Sequence, residues 1–448
     1  VEPVSKADLT ILGLMKIDET SQVNVTDKGF APSPEVANFS GGSHGGRGGV
    51  YSGGQTNEPY GDYREPVAFG TGGKHHTNYT RGGGALKIIA GTLEVYGSIK
   101  ADGGRHGSNY SYVGGGSGGS LWLDVGTLKG SANTSIWANG GQGRRHQGSG
   151  GSGGRIAIYY QTLDGIDLTQ SVSAKGGDYE SGSGTNGAPG TIYLKDTSNG
   201  AATVRLDNSG RDPARSGRID FTLSADESVY INSVNLMLSG EKPNYPLELN
   251  NSSVELALAE LDQLKVNNSQ VEQSESLVVQ TLELVDSSWS QEAELTIVSQ
   301  ALELSNSTWF QGAALSIDIL NVQGGAWNQS SYDLTINNQY QFSGITFKQN
   351  GVLTLPSGQD LVVDGYTYEI NTDQNWNSIT LQNGALLTTA VAPVNKLEGY
   401  TLTANQILVE EGSSINLSSK GLVPSLEVAN FSGGSHGGRG GVYSGGQT

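Results

Sequence analysis

Cysteine is absent from the 448-residue chain, and methionine occurs only twice. Without cysteine the chain has no disulfide scaffold, no cysteine nucleophile, no thiolate zinc site and no iron–sulfur cluster. Charged residues are also few, at 16 % of the chain, and no apolar run reaches the roughly 18 residues of a membrane-spanning helix. Glycine does not recur strictly at every third position, which excludes collagen. These absences leave an acidic, glycine-rich chain that favours β-structure.

Glycine and acidic residues are distributed unevenly along the chain. Of the 67 glycines, 45 lie in residues 1–200, where the net charge is −1, whereas residues 201–448 carry a net charge of −17. An acidic balance of this size argues against nucleic acid as a partner. The change in composition near residue 200 predicts a boundary between a glycine-rich domain, 1–200, and an acidic domain, 201–426.

A long segment of the chain occurs twice. Glu35–Thr56, with the sequence EVANFSGGSHGGRGGVYSGGQT, recurs unchanged as Glu427–Thr448, an offset of 392 residues. At the same offset, Val25–Gly29 aligns in weaker form with Leu417–Gly421. We therefore expect a fragment of a longer protein built from tandem units of about 392 residues, in which 427–448 begins the next unit.

A shorter period of 35 residues lies inside the glycine-rich half. The motif Gly91-Thr92-Leu93 recurs as Gly126-Thr127-Leu128 and, in altered form, as Gln161-Thr162-Leu163. Each copy is flanked by a glycine run, an alternating apolar segment and the sequence Ala-x-Gly-Gly. Alternation with β-branched and aromatic residues, punctuated by glycine, predicts strands. Each unit therefore combines short strands with one long glycine-rich excursion.

The acidic half has a period of about 18 residues. Triplets with apolar flanks and a polar centre recur in this half at Leu247–Leu249, Leu264–Val266, Leu282–Leu284, Leu302–Leu304 and Leu320–Val322. Three tryptophans, Trp289, Trp309 and Trp327, follow similar steps. Such triplets point two side chains inward and one outward, and one coil per 17–20 residues is typical of a parallel β-helix. Segment 253–264 also fits a short amphipathic helix, but its register fits the coil repeat better.

The predicted fold class is therefore all-β: a right-handed parallel β-helix, or β-solenoid, with long glycine-rich loop excursions in its N-terminal half. At this level the chain resembles the repeat units of giant bacterial cell-surface and adhesin-like proteins with parallel β-helix folds. The segment Gly118–Leu123, with Gly153–Tyr159 in the next unit, is similar to glycine-rich repeats of large surface proteins. The resemblance is specific in motif only over 82–195. It implies an exported fibre-like or adhesive role and transfers no catalytic residue.

Histidines, cations and tyrosines of the glycine-rich stretches form the candidate binding set. If the excursions stack, these side chains line one side of the molecule, where cations and aromatics suit an anionic polysaccharide or a neighbouring acidic chain. The alternative is a set of solvated loop tips. The candidate residues are His44, Arg47, Tyr51, His75, His76, Tyr79, Arg105, His106, Tyr110, Tyr112, Arg144, Arg145, His146 and Tyr179.

The glycine runs themselves have two interpretations. Gly42, Gly45 and Gly48 are three residues apart, as are Gly148, Gly151 and Gly154. A period of three with small residues allows polyproline-II-like segments to pack closely. The alternative is a disordered Gly/Ser linker.

Metal and catalytic sites are not expected. The sequence has no calcium-loop motif and no repeated histidine spacing that would gather zinc ligands. Parallel β-helices also occur as polysaccharide-degrading enzymes, which need paired carboxylates or an acid–base group held by a cation. The pairs Asp164/Asp167 and Asp178/Glu180 lack a unique cation or histidine nearby in sequence. We therefore expect a non-enzyme without cofactors.

The expected function is structural: a segment of an extracellular, cell-surface protein whose units stack head to tail into a stalk or filament. Its expected partners are adjacent copies of the same repeat, with lateral self-association left open. An adhesive module that binds glycans or surfaces through the Gly/Tyr/Arg/His-rich loops is the alternative.

Overall fold

A computed structural model describes residues 6–105, 112–144, 147–299, 301–348, 351, 353–354, 360–365, 367–370, 373–389 and 400–418. The duplicate at 427–448 lies outside these ranges. The chain divides into two compact units, Val1–Ser288 and Trp289–Thr448. The composition change near residue 200 falls inside the first unit.

The regular secondary structure of the first unit is almost entirely β-strand, although long glycine-rich segments of this unit carry no strand assignment. A single-turn α-helix, α1 (Leu168–Ser171), begins at Asp167, whose side chain accepts a hydrogen bond from the Thr169 amide, and a 3-10 turn covers Pro213–Arg215. The strands of this unit are β1 (Lys6–Ile17), β2 (Gln22–Asn24), β3 (Ala85–Val95), β4 (Ser98–Lys100), β5 (Ser120–Gly130), β6 (Ser135–Trp137), β7 (Arg155–Asp164), β8 (Val172–Ser173), β9 (Thr191–Asp196), β10 (Ala202–Asp207), β11 (Arg218–Leu223), β12 (Glu227–Asn232), β13 (Asn235–Gly240), β14 (Leu247–Asn250), β15 (Ser253–Ala257), β16 (Glu260–Asn267), β17 (Gln270–Gln273) and β18 (Leu277–Val285).

Parallel pairing in the glycine-rich part follows the 35-residue period. Strand β3 pairs with β5, and β5 with β7, so that Leu86, Leu121 and Ile156 are register partners. Strand β7 then pairs with β9 in the same direction. The inward side chains of these strands form a buried apolar core, because alternate residues of each strand point to the same face. Strands β2, β4, β6 and β8 form a second, four-stranded sheet.

The register step between paired strands becomes shorter beyond residue 200. Strand β9 pairs with β10 antiparallel, β10 pairs with β12 in parallel at a step of 25 residues, and the pairs β11–β13 and β13–β15 have steps of 17 and 18 residues. The predicted triplets are register partners, since Leu247 pairs with Leu264 and Leu264 with Leu282. Segment 253–264 contains β15 and the start of β16, so the strand prediction is confirmed over the helical alternative.

Residues with positive φ lie between successive strands in this part of the chain. Ser233, Asn251 and Asn268 have φ of 57°, 49° and 44°. Asparagine adopts this left-handed region more readily than other non-glycine residues. The asparagines also form a ladder: the Asn251 side-chain amide donates to the Asn232 side-chain oxygen at 2.9 Å, and Asn268 donates to Asn251 at 2.8 Å. The Asn/Ser clusters of the sequence are therefore turns between successive strands.

The second unit repeats the same design with larger side chains in its core. Strand β19 (Ser288–Gln291) spans the division between the units. The remaining strands are β20 (Leu295–Ile297), β21 (Ala301–Gln311), β22 (Leu315–Gln329), β23 (Leu334–Ser343), β24 (Thr346–Lys348), β25 (Leu353–Thr354), β26 (Asp360–Asp364), β27 (Thr367–Ile370), β28 (Gln374–Gln382), β29 (Leu386–Thr389), β30 (Leu402–Val409) and β31 (Ser414–Ile415). Strand β21 pairs with β22, so that Leu302 meets Leu320 and Trp309 meets Trp327.

An aromatic stack runs through the core of the second unit. The rings of Trp289 and Trp309 are 5.5 Å apart and 11° from parallel, and those of Trp309 and Trp327 are 5.2 Å apart and 8° from parallel. All three side chains are fully buried. The Nε1 atom of Trp327 donates to the side-chain oxygen of buried Gln311, whose own amide donates to the Asp333 carbonyl at 2.9 Å.

The prediction of an all-β chain is confirmed, and most of its strand pairs are parallel. From β3 to β9, successive register partners differ by 35 or 36 residues, whereas the partners in β1 and β3 differ by 78 or 79. No helix in the described ranges is long and apolar enough to cross a membrane.

Candidate functional site

The glycine runs of the first unit lie against one another. We call this set of segments the glycine bundle; it consists of residues 39–49, 69–74, 80–84, 101–104, 113–119, 138–143, 148–154, 174–177 and 185–190. None of its residues lies in a strand of the structure. Its hydrogen bonds join different segments, so the bundle is an ordered arrangement of the segments that the sequence predicted as loop excursions.

Run 148–154 has three neighbouring segments and donates to each in turn. The acceptors are all backbone carbonyls. The amides of Ser149 and Ser152 donate to the carbonyls of residues 39 and 42, and those of Gly150 and Gly153 donate to the carbonyls of residues 185 and 188. The amides of Gly151 and Gly154 donate to the carbonyls of residues 141 and 138. Residues three apart therefore face the same neighbour. Three residues per turn is the period of a polyproline II helix, which has no internal hydrogen bonds and offers its amides to other chains.

Run 113–119 repeats the arrangement. Its donors at 114 and 117 reach residues 74 and 71, those at 115 and 118 reach 149 and 152, and those at 116 and 119 reach 104 and 101. The donor–acceptor distances of these six bonds lie between 2.7 and 3.4 Å. The period of three in the sequence is thus a hydrogen-bonding period.

Glycine is required in the bundle by space. A Cβ atom on Gly118 would lie 2.0 Å from the carbonyl oxygen of Ala138, and one on Gly190 would lie 1.7 Å from that of Gly154. Neither of these glycines, nor any other in the bundle segments, has positive φ. Backbones approach so closely here that a side chain has no room, and relief would require movement of the main chain.

The few side chains inside the bundle hydrogen bond to its backbone. Buried Thr71 donates through its hydroxyl to the Ser43 carbonyl at 2.7 Å, and its amide donates to the Ser117 hydroxyl at 2.9 Å. The amide of His44 donates to the Ser152 hydroxyl at 2.9 Å. The hydroxyls of Thr71 and Ser117 thus satisfy buried backbone groups, and the Ser152 hydroxyl adds an acceptor for the His44 amide, which also donates to the Gly46 carbonyl at 3.2 Å.

His44 is the one fully buried histidine of the described candidates. Its Nδ1 lies 2.9 Å from the Gly118 carbonyl, which accepts only, so Nδ1 carries the proton. Burial, reinforced by the nearby Arg155 cation, lowers the pKa of His44 to about 3. Arg155 is itself buried, donates to the Tyr60 carbonyl at 2.8 Å, and has its pKa lowered by burial to about 10. His44 therefore supports the bundle as a neutral side chain and is not available to a ligand in solution.

An aromatic cluster lies at the edge of the bundle, where segment 39–49 begins. The ring of Phe39 is 5.1 Å from that of His76, 5.6 Å from those of His75 and Tyr51, and 6.3 Å from that of Tyr112. We call these five residues the Phe39 cluster. Four of them belong to the candidate binding set of the sequence, and the structure brings them together although they come from three separate glycine-rich stretches.

Two members of the Phe39 cluster have unusual backbone conformations. Phe39 and Tyr112 have φ of 70° and 74°, a region that bulky residues rarely adopt. Backbone amides hold both in place, since Phe39 donates to the Lys74 carbonyl at 2.8 Å and Tyr112 to the Arg144 carbonyl at 3.1 Å. Conformations of this kind concentrate at functional sites. The candidates His106, Tyr110, Arg145 and His146 lie outside the described residues.

The other candidates are held in pairs or lie at the surface. Arg47 forms ion pairs with Glu58 and Asp220, the latter at 3.3 Å. Tyr179 stacks under the Arg215 guanidinium at 4.4 Å, and the Arg81 guanidinium lies 5.9 Å from the ring of exposed Tyr79. Arg105 is exposed and Arg144 is half-buried. Of these residues, Arg144 adjoins the Phe39 cluster, since its carbonyl accepts the hydrogen bond from the Tyr112 amide.

Three residues of importance were missed by the sequence analysis. Phe39 is the centre of the aromatic cluster, and its signal was an isolated aromatic residue two positions before a glycine run. Arg64 and Tyr63 both contact Glu227: Arg64 Nε donates to one carboxylate oxygen and the Tyr63 hydroxyl to the other, each at 2.7 Å. No sequence period connects residues 64 and 227.

The carboxylate pairs of the sequence have structural contacts. Asp164 forms an ion pair with Lys129 at 2.9 Å, and Asp178 forms one with Arg211 at 2.7 Å. Asp167 begins α1, and hydrogen bonds from Thr169 lower the pKa of its carboxyl. Among the described residues, no group of three or more histidine, aspartate or glutamate side chains is arranged to hold a metal ion.

Comparisons with protein-family models, curated proteins and solved structures find no match to this chain.

Proposed function

We propose that this chain is a β-solenoid segment of a structural protein on the outer surface of a cell, in which units of about 392 residues follow one another head to tail. Its function is mechanical. Each coil supports the next, and each tandem unit of about 392 residues supports the tandem unit that follows it. A β-solenoid of this kind adds about 4.8 Å of length for each coil.

The observation that carries the proposal is the continuity of the parallel register. In the first unit, inward residues at one position are followed by inward residues one coil later, from β3 through β9 and again from β11 through β15. Stacking of like on like is the way in which a quasi-one-dimensional protein buries a core that no single coil buries alone. A coil so built requires another coil as its partner.

Side chains that otherwise favour ligand binding are used to join neighbouring coils. The Asn232–Asn251–Asn268 ladder and the buried serines Ser252 and Ser269 link successive coils, the Ser252 amide donating to the Ser269 hydroxyl at 3.0 Å. In the second unit the tryptophan stack has the same role. This pattern supports a scaffold function for these side chains rather than a ligand-binding function.

The experiment is electron microscopy of a longer chain with two of the 392-residue tandem units, made by joining a second copy of residues 57–448 to Thr448. We call it the two-unit chain; its tandem units are not the two compact units of the fold. We expect unbranched rods, longer by one constant increment than the particles formed by the 448-residue chain. Separate globules on flexible tethers would overturn the proposal.

A second candidate function is favoured by the Phe39 cluster, whose two left-handed aromatic residues are held at the edge of the bundle. Aromatic rings with histidines beside them suit the face of a sugar ring, so this candidate is an adhesive site for polysaccharide. Its test is the binding of alginate to the 448-residue chain. We expect Tyr112→Ala to weaken binding at least tenfold and Tyr245→Ala, at an exposed tyrosine of the acidic part, to leave it unchanged. Equal binding by both variants would exclude this site.

A further inference from the structure

We infer that the last described coil, 402–418, is a second version of the first coil, 10–26, and that β3 and β4 of a following copy of this chain cover its exposed apolar edge. This inference rests on the proposed head-to-tail arrangement and adds the contact surface, the partner strands and the register of the joint. We call residues 402–418 the end coil.

The end coil repeats the local structure of the first coil at an offset of 392 residues. Strand β1 ends at Ile17 and β30 ends at Val409, and β2 and β31 begin at Gln22 and Ser414. Both coils have a two-residue turn between these strands. The sequence over this turn is similar in the two copies but not identical.

Two hydrogen bonds recur at the same offset. The Ser21 amide donates to the Asp18 carbonyl at 2.9 Å, and the Ser413 amide donates to the Glu410 carbonyl at 3.0 Å. The Thr26 amide donates to the Asn24 side-chain oxygen at 2.8 Å, and the Ser418 amide donates to that of Asn416 at 3.0 Å. The duplication of the sequence is therefore a duplication of backbone structure, and it extends upstream of the 22 identical residues.

The two coils have neighbours on opposite sides. The first coil pairs with strands that follow it, β1 with β3 and β2 with β4. The end coil pairs with strands that precede it, β30 with β28 and β31 with β29. A coil inside a continuous stack needs both sets of neighbours. Among the described strands, the end coil therefore has the neighbours that precede a coil in such a stack, and the first coil has the neighbours that follow one.

Burial differs in the way that this arrangement predicts. Ile17 is 4 % exposed and Val25 is 8 % exposed, since both belong to the core that continues into β3 and β4. Their counterparts at the offset of 392 are Val409, 42 % exposed, and Leu417, 53 % exposed. Apolar side chains on the inward positions of a coil are buried by the next coil. The exposed edge of the end coil is thus a surface that β3 and β4 are shaped to cover.

The register of the joint follows from that of the first coil. Lys16 is the register partner of Glu94 in β3, and Glu94 is the partner of Lys129 in β5. Leu408 takes the place of Lys16 at the offset of 392. In a two-unit chain, Leu408 of the first copy is therefore expected beside Glu94 of the second copy, with a Cα separation of about 4.8 Å. Lys129 of the second copy is one strand further away.

Disulfide formation measures this register, and the chain has no cysteine of its own to interfere. A disulfide needs a Cα separation of about 4.4–6.8 Å, which neighbouring strands meet and next-nearest strands exceed. In the two-unit chain, Leu408→Cys in the first copy is combined with Glu94→Cys in the second copy. The matched control combines Leu408→Cys with Lys129→Cys in the second copy. The positive control is Lys16→Cys with Glu94→Cys in the 448-residue chain.

We expect the first pair to oxidise as completely as the positive control, and the Lys129 pair at most one tenth as much. Cross-linking to Lys129→Cys, or to neither position, would overturn the inference. Rods seen by microscopy without the Glu94 cross-link would leave the proposed function standing and make the joint wrong. The Glu94 cross-link without rods would leave the contact at the joint standing and make the proposed function wrong.

Thiol labelling tests burial without requiring disulfide geometry. Val409→Cys is expected to react rapidly in the 448-residue chain and at least tenfold more slowly in the two-unit chain, where it should match Ile17→Cys. Equal rates in the two chains would contradict the inference. Protection that is already present in the 448-residue chain would show that something else covers this edge, and would contradict it equally.

Discussion

A Cβ atom placed on Gly151 would lie 2.0 Å from the carbonyl oxygen of Gly116. The two residues belong to neighbouring runs of the glycine bundle, and the contact is between backbones. We therefore expect Gly151→Ala to destabilise the first unit by about 3 kcal/mol or more, since overpacking of this kind has no side-chain route to relief. Gly13→Ala is the control, because a Cβ there meets nothing within 4 Å. Urea unfolding followed by circular dichroism compares the two variants, and similar midpoints would contradict the prediction.

The tryptophan stack makes the second unit sensitive to loss of a single ring. Trp309 is fully buried between two parallel indoles, and Trp309→Ala removes both stacking contacts. We expect a loss of about 3–5 kcal/mol, the usual range for deletion of a buried large aromatic side chain. Phe310→Ala, at the adjacent residue that is 48 % exposed, should cost less than about 1 kcal/mol. Thermal unfolding monitored by near-ultraviolet circular dichroism distinguishes them.

His44 makes stability depend on pH in a defined direction. Its pKa is lowered to about 3 in the folded protein, mainly by burial, whereas an unfolded histidine has a pKa of about 6.5. The unfolded chain therefore binds the extra proton first, and the stability due to neutral His44 is complete above pH 6.5 and falls as the pH decreases towards 3. The expected slope is about 1.4 kcal/mol per pH unit.

Urea midpoints between pH 7 and 5 measure this slope before most carboxylates titrate. His44→Gln, which keeps a hydrogen-bond donor but cannot be protonated, should flatten the dependence. His76→Gln, at an exposed histidine of the Phe39 cluster, should not alter it. A slope that persists in His44→Gln would show that another group is responsible.

The turn at Asn251 separates a backbone effect from a hydrogen-bonding effect. Asn251 has φ of 49° and takes part in two ladder hydrogen bonds. Asn251→Gly and Asn251→Ala both remove these bonds, but only alanine is strained at this φ. We expect Asn251→Ala to be less stable than Asn251→Gly by about 1 kcal/mol. Chemical unfolding of the two variants tests this, and the opposite order would show that the turn does not keep its left-handed conformation.

The parallel strand pairs of the acidic part were predictable because period and packing coincide there. Leu247, Leu264 and Leu282 recur at the spacing of one sequence repeat, and buried apolar positions of neighbouring parallel strands must meet their counterparts. The same reasoning placed the strands around Gly91-Thr92-Leu93 and its copies in one register. Local sequence period was sufficient wherever a strand pairs with the strand one sequence repeat away.

The glycine bundle was predictable in its period but not in its contacts. Gly148, Gly151 and Gly154 indicated a threefold arrangement, but the neighbouring segments, such as 39–42 and 185–188, come from distant parts of the chain. His44 was expected among exposed ligands because its neighbours in sequence are polar and small. It is buried because those same glycines allow other backbones to enclose it. The left-handed conformations of Phe39 and Tyr112 likewise come from tertiary contacts and have no local signal.

The threefold pattern of donors in the glycine bundle also limits how these sequences can change length. In run 148–154, each residue faces one of three neighbouring segments according to its position within the three-residue turn. Insertion of one or two residues would rotate every later amide towards the wrong neighbour and bring serine where only glycine fits. Insertion or deletion of three residues restores the phase. Each such run therefore tolerates changes of length only in multiples of three residues, because only these keep every amide directed towards its own neighbouring segment.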